Sequence, residues 1–318
     1  MSSGRTLPIR VAPLPGEPLD GWLEAYAHRL DVTFGDLLAA LGLRIAGRQA
    51  PDYTVYLRQQ EAERITALTG VPVEQAHAMM LRLFDGHVVA LHPRRRAVTR
   101  STWWSRGSGS RFCPRCLTER DGRWLLRWRL AWVFACTRHR MLLLDVCPGC
   151  GHSPRTSVMR ITYDHRPGTC PRRGCGTDLR ETHPRRLRTH DRLLVAQAWI
   201  DTILDTVEAG TTDGVADAPA AVFTDLRTVA GWLLRQSDPE DFHSFGARID
   251  AAWQAACGYY AGGVRPSQFP PTDAALMGAT ASRAIALIDG DDDTAITHLR
   301  TLLLRSPHRT APPSAHPA

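Results

Sequence analysis

Seven of the eight cysteines in this chain lie between positions 113 and 175, and they fall into two ligand sets of nearly the same layout. The first runs Cys113-Pro-Arg-Cys116, nineteen residues, then Cys136-Thr-Arg-His139; the second runs Cys147-Pro-Gly-Cys150, nineteen residues, then Cys170 and Cys175. Two tight turns that each present a pair of soft donors, joined by a loop long enough to fold back, are what a closed tetrahedral metal site requires. The expectation is two structural zinc ions, one on three cysteines and a histidine and one on four cysteines. Neither set leaves the open position that a catalytic zinc keeps for water. Bound thiolates must be deprotonated and the site does not exist in an unfolded chain, so binding the ion is folding free energy. In the second set the wider gap between Cys170 and Cys175 leaves His152 or His165 as substitute ligands. Disulfides are the lesser reading. The first nineteen residues lack the apolar core of a secretion signal and carry Pro8, Pro13, Pro15 and Pro18, so a reducing cytoplasm is expected. Cys257, alone in an apolar helical stretch, reads as a buried structural thiol.

Charge is spread as unevenly as cysteine. All 39 basic side chains are arginine, and 23 of them lie between Pro93 and Arg192 against seven acids. That stretch carries +16 in a chain whose formal net charge is +7, which leaves −9 for the remainder. A positive middle between acidic ends is the expected footprint of a polyanion-facing module held between protein-facing ones. Arg94, Arg95, Arg96, Arg111, Arg115, Arg138 and Arg140 are the candidate nucleic-acid contacts. With 43% hydrophobic residues and no apolar run of membrane-spanning length, a soluble chain without a membrane partner is expected.

Periodicity predicts a mainly α fold in which few segments can stand alone. An extended, proline-rich lead ends at Pro18, and a helix from Asp20 places Trp22, Leu23, Tyr26 and Leu30 on one stripe. Thr33, with Asp36 three residues on, reads as an N-cap opening Phe34 to Leu41. Val55–Leu68, the turn Thr69-Gly70-Val71-Pro72 and Val73–Phe84 have the form of a helix-turn-helix, whose reading face would be Glu74, Gln75, His77 and Arg82. A packing hairpin is the alternative. Pro93–Arg111 reads as a basic connector without periodicity. Trp124, Trp128 and Trp132 recur at i, i+4 and i+8, predicting a helical stripe packed beside the metal, with base stacking as the sharper alternative. A short hairpin is expected around Val158, Ile161 and Tyr163. Helices are then expected over Leu193–Val207, Val222–Leu234, Phe242–Ala256, Asp273–Ile288 and Asp292–Leu304. The resulting division is a helix-turn-helix-like domain over 1–92, a tandem zinc-binding, zinc-ribbon-like double finger over 93–183, a helical domain over 184–305 and a disordered tail over 306–318.

Several of these residues, in this order, resemble the TniQ family. The carriers are Leu14-Pro15-Gly16-Glu17 with Leu19 and Trp22-Leu23; Leu68-Thr69-Gly70-Val71; and Phe112-Cys113-Pro114-Arg115-Cys116, Trp124, Trp128, Cys136-Thr137-Arg138-His139, Leu144 and Cys147-Pro148-Gly149-Cys150. The likeness spans roughly residues 7 to 180. It implies a transposition target-selection adaptor that recruits an AAA+ ATPase regulator of the TniB or TnsC type. DNA, a transposase or targeting complex, and a second copy of the chain are the further partners it implies. Leu14, Pro15, Trp22 and Tyr26 are the candidate contacts for the ATPase, as a preset extended lead followed by two aromatic anchors.

Chemistry of its own is not expected. Zinc deaminases need a His-x-Glu, and none occurs. The acids near the cysteines, Glu119, Asp121 and Asp145, are isolated, whereas metal nucleases need carboxylate clusters. Asp289, Asp291, Asp292 and Asp293 read as a loop and cap run. No nucleotide-binding glycine loop is present. A zinc-containing transcription regulator is the main alternative function.

Overall fold

The computed structural model describes residues 6–43, 52–99, 102–106, 109–156, 166–211, 219–237, 239–246, 248–261 and 269–290. Helix α1 (Leu19–Leu30) begins where Pro18 ends the extended lead, and it stops at Asp31 in a left-handed conformation, φ 54°. Its buried face is Leu19, Trp22, Leu23 and Tyr26. Helix α2 (Phe34–Ala40) opens on the expected capping box: the Thr33 hydroxyl accepts from the Asp36 N–H at 3.1 Å and the Thr33 N–H donates to the Asp36 carboxylate at 3.2 Å. Helix α3 (Gln59–Thr69) ends at Gly70, whose φ of +77° is the left-handed C-cap that glycine adopts without strain. Helix α4 (Val73–Ala78) follows. Together these helices bury Leu37, Leu38, Ile65, Ala76 and Met80 with the α1 face in one apolar core.

The second half of the helical hairpin is shorter than its periodicity predicts. Instead of running to Phe84, α4 stops at Ala78, Met80 is extended, and Leu81–Phe84 form a 3-10 turn. The Leu81 N–H donates to the Thr54 carbonyl at 2.8 Å, so a tertiary partner replaces the helical one. Six residues of α-helix rise only ~9 Å, a short element for a recognition helix.

The connector contains a hairpin, β1 (Ala90–His92) paired antiparallel with β2 (Ala97–Thr99), and Arg94-Arg95-Arg96 is its turn. The metal region adds α5 (Pro114–Glu119) and the two-residue strands β3 (Ala135–Cys136) and β4 (Met141–Leu142). Trp124, Trp128 and Trp132 are buried as the packing reading requires, but not on a helix: only Leu126–Arg129 form a 3-10 turn. Hydrogen-bond donors from elsewhere make this irregular backbone viable. The Arg111 guanidinium donates to the carbonyls of Ala131 and Val133 at 2.7 and 2.8 Å. The Gln197 side-chain oxygen accepts from the N–H groups of Phe134 and Ala135 at 2.8 and 3.0 Å.

Helices α6 (Arg192–Ala209), α7 (Pro219–Gln236), α8 (Arg248–Ala261) and α9 (Ala274–Ile288) complete the described chain. The third begins six residues later than predicted because Pro239–Phe245 is a 3-10 segment. The expected helix over Asp292–Leu304, the hairpin around Val158, Ile161 and Tyr163, the tail over 306–318 and the Cys257 side chain lie outside what is described. The tryptophan region and the C-terminal helices share one core. Trp104 stacks on Trp132 at 5.4 Å, and Trp132 lies 5.7 Å from the Phe223 ring on α7. Gly278 of α9 sits so close to Phe134 that a Cβ there would lie 2.7 Å from the ring. The apolar core thus runs across position 183 without a break. None of the described helices is long and apolar enough to cross a membrane.

Candidate metal centres and the basic face beside them

Each ligand pair sits where local backbone rules put it. Cys113 is the N-cap residue of α5, with Pro114 at the first helical position, so Cys116 comes round one turn later on the same side. Cys136 ends β3, and the tight turn to β4 returns His139 towards it, with Arg140 at φ 51°. The second pair is closed by the Gly151 N–H donating to the Cys147 carbonyl at 2.8 Å, and Cys170 is held by its N–H to the Thr177 carbonyl at 2.8 Å.

These turns bring together two groups of four donors, Cys113, Cys116, Cys136 and His139, then Cys147, Cys150, Cys170 and Cys175, with all donor atoms of a group within 4.8 Å of one another. Within the first, Cys116 Sγ lies 3.6 Å from Cys136 Sγ, and His139 Nδ1 lies 3.5, 3.2 and 3.5 Å from the three sulfurs. Within the second, Cys147–Cys175 and Cys150–Cys170 are 3.6 and 3.8 Å apart. Donors ~2.3 Å from a tetrahedral ion stand ~3.8 Å from one another, so the spacing fits a shared ion. It is far from the ~2.05 Å of a disulfide. Both groups are able to hold a metal. His152 is no part of the second: it is exposed, and its Nδ1 faces the Cys150 carbonyl at 2.5 Å. His165 lies outside the described residues. Glu119, which looks isolated in the sequence, stands 2.9 Å from His139 Nε2 and also pairs with Arg138 at 2.9 Å. A carboxylate on the far nitrogen fixes the ring of a metal-binding histidine.

The arginines divide into internal and external groups. Arg111 was expected to contact nucleic acid; it is 0% exposed, paired with Asp145 at 2.7 Å and bonded to three backbone carbonyls. Arg96 is likewise corrected: its guanidinium clamps Glu61 at 2.6 and 2.8 Å and lies over the Tyr53 ring at 4.5 Å. Arg94, Arg95, Arg115, Arg138 and Arg140 are exposed. Met141 bridges antiparallel to Arg186, and the Leu187 N–H donates to the Arg140 carbonyl at 2.8 Å, which sets exposed Arg186 and Arg188 beside the exposed Arg138–Arg140 turn. This long-range pairing has no local sequence signal beyond a single buried leucine in a charged run.

Two of the four candidate protein-binding residues are packed inside the molecule. Trp22 and Tyr26 are 0% and 1% exposed, one helical turn apart in edge-on contact. Their polar tips donate to the Val11 carbonyl at 2.9 Å and to the Ile9 carbonyl, fastening the lead to α1. Leu14 is half-buried and Pro15 exposed, yet the backbone around them is committed too: the Pro15 carbonyl accepts from Arg120 at 2.9 Å and the Gly16 carbonyl from the Leu126 N–H at 2.8 Å. Glu17 pairs with Arg123.

Buried ion pairs continue this junction. Asp20 accepts from Arg129 and Arg155, each at 2.7 Å, Arg155 also pairs with Glu24, and Arg129 reaches Asp52 at 3.0 Å. Burial works against ionisation of Asp20, yet the two guanidiniums outweigh it and hold its carboxyl well below the usual carboxylate range. Burial, with the Asp20 charge beside it, pushes Glu24 up to about 7 against the pull of Arg155. Burial also raises Glu17.

No curated protein matches the chain. The TniQ family model matches residues 8–143, a stretch that takes in the docked lead, α1 to α5 and all four donors of the first metal group, and over that stretch the chain is similar to the TniQ family, which implies a role related to transposition target selection.

Proposed function

We propose that this chain is a non-catalytic adaptor of DNA transposition, which carries two structural zinc ions, contacts DNA through its arginine-rich metal region and recruits an AAA+ ATPase regulator of a transposase. The family match over residues 8–143 is the observation that carries this reading. Zinc is the metal because sets of three or four thiolates with tetrahedral spacing suit a soft, closed, four-coordinate site. The adaptor role is supported by the way the lead, α1 and the first metal group are joined by backbone hydrogen bonds and buried ion pairs, which lets them present fixed surfaces to two partners at once. The short α4 weighs against a helix that reads sequence deep in a major groove, and so against the transcription-regulator alternative.

The test is reconstitution with the AAA+ regulator and transposase encoded in the same genomic neighbourhood. Binding of the regulator to DNA, and directed insertion, are expected to depend on this chain. Regulator loading and insertion-site choice that are the same with and without it would refute the reading.

A further inference from the structure

We propose that the sugar–phosphate backbone of duplex DNA is held across one face of this chain, made by Arg138, Arg140, Arg186 and Arg188. This rests on the adaptor reading and gives its DNA contact a place. Internal pairing narrows the choice. Arg96, Arg111, Arg123, Arg129 and Arg155 are each bound to a carboxylate inside the molecule, and Arg106 and Arg127 are as well. The large positive excess of the metal region is therefore only partly available to a polyanion.

Four of the exposed arginines are gathered by two neighbouring backbone segments. Leu187 is buried between Arg186 and Arg188, so the two guanidinium stems leave the same side of an extended segment, two residues or ~6.6 Å apart. That step is close to the spacing of successive phosphates along one nucleic-acid strand. Across the bridge between Met141 and Arg186, the turn after Cys136 presents Arg138, 74% exposed, and Arg140, whose guanidinium donates to the Thr189 hydroxyl at 2.8 Å. The first metal group braces this turn through His139, so the charges are placed before any ligand arrives. Nearby acids offset them only in part. Glu119 is shared between Arg138 and His139, Asp191 caps the start of α6, and Asp201 accepts from Gln197 and Thr137. Exposed Glu181 lies before Pro184 on the approach to the face.

The same surface favours a duplex over a single strand. Binding of single strands relies on aromatic side chains that stack on bases. Here Trp104, Trp124, Trp128 and Trp132 are all buried. What remains is phosphate-directed binding with little sequence preference, steep in salt. Arg94 and Arg95, at the tip of the β1–β2 hairpin, form the rival surface; with Arg96 committed to Glu61, they supply two charges at most.

The test is salt-dependent binding of the full, zinc-loaded chain to a random-sequence DNA duplex. The combined variant Arg138→Gln, Arg140→Gln, Arg186→Gln and Arg188→Gln is expected to flatten the slope of log K against log salt by about 3, while Arg94→Gln with Arg95→Gln changes it by less than about 1. Zinc content and circular dichroism should stay at wild-type values. If the combined variant misfolds, the single variants Arg186→Gln and Arg188→Gln replace it, each expected to lower the slope by about 1. A wild-type slope that survives the four substitutions, or one carried by Arg94 and Arg95, overturns the proposal and leaves the adaptor reading standing. Preference for single-stranded RNA over the duplex overturns it too. No salt-dependent binding by the wild type defeats both the proposal and the DNA arm of the adaptor reading, while leaving ATPase recruitment intact.

Discussion

The metal region is joined to its two neighbours by opposite chemistry. Towards the N-terminus the contact is ionic and buried: Glu17, Asp20, Glu24 and Asp52 meet Arg123, Arg129 and Arg155. Towards the C-terminus it is mainly hydrocarbon, with Phe134 against Gly278 and Trp132 against Phe223, and one polar knot in which Asp145 takes Arg106, Arg111 and the Ala274 N–H. A buried ion pair is a poor source of net stability but a strict selector of geometry, because a displaced partner strands a charge. An apolar contact tolerates small shifts and fails only when space is lost or gained. The ionic junction fixes the angle of α1, and the apolar one supplies much of the burial.

The metal groups underlie both junctions, so their loss should be the largest effect. Metal analysis of the purified chain is expected to return about two zinc ions. Cys113→Ser disables a site worth on the order of 10 kcal/mol. Because Arg123, Arg129, Trp128 and Trp132 all lie between the ligand pairs of that group, hydrogen exchange should rise in both α1 and α9. Cys170→Ser disables the second group, whose intervening chain carries Arg155, and should expose α1 far more than α9. Equal exposure of both helices in the two variants would remove the distinction between junctions, and a metal-free native chain would remove its foundation.

Next in size is Arg155→Met. It leaves Glu24 buried without its partner and Asp20 with Arg129 alone, at an expected cost of about 3 to 5 kcal/mol in chemical unfolding. An Arg127→Met change, at the edge where Arg127 meets Asp205 and Glu208 near solvent, is expected to cost about 1 kcal/mol or less. Similar losses in the two variants would show that burial does not set the worth of these pairs.

The ionic junction also predicts a pH dependence. Glu24 holds its proton more tightly in the folded chain, near 7, than at its ordinary value of 4.5. Its contribution is therefore favourable below the unfolded value and is lost as pH rises towards 7. Asp20 has the opposite sign, contributing above its ordinary value of 3.8 and losing that contribution in stronger acid. Between pH 4.5 and 7, Glu24→Gln should gain up to about 3 kcal/mol on the wild type. Parallel stability curves for the two proteins would contradict the raised value.

What the sequence disclosed follows the range of the forces involved. Ligand spacing within each cysteine set is local, and both sets assemble with the predicted donors. The Thr33 and Asp36 cap is local and forms as expected. Arginine, in contrast, carries no local mark of burial: Arg94, Arg95 and Arg96 are adjacent in sequence, yet two face water and one clamps Glu61. The same blindness made a helix of Trp124, Trp128 and Trp132. Their spacing suits one, but Arg111 and Gln197 supply from a distance the hydrogen bonds that a helix would have made internally. Acid and base counts by region likewise gave the right asymmetry and an incomplete meaning, since much of the N-terminal acid exists to meet the central arginines.

The smallest predicted effect tests the apolar junction alone. Gly278 lies on α9, where alanine is the better helix former by up to about 1 kcal/mol, so a surface glycine here would be improved by substitution. Its Cβ position, however, is 2.7 Å from Phe134 Cδ2 and 3.1 Å from a Leu193 methyl carbon. Phe134 is itself fully buried, and its neighbour Ala135 is tied by its N–H to Gln197, which leaves the ring little room to retreat. Overpacking of about 1 to 3 kcal/mol should then exceed the propensity gain, and Gly278→Ala should destabilise the chain by about 1 to 2 kcal/mol. The paired change Gly278→Ala with Phe134→Leu should recover part of the loss, since the smaller side chain vacates the contested space. A stabilised Gly278→Ala protein would mean that α9 can slide on the metal region, and the two junctions would then differ in rigidity even more than their chemistry implies.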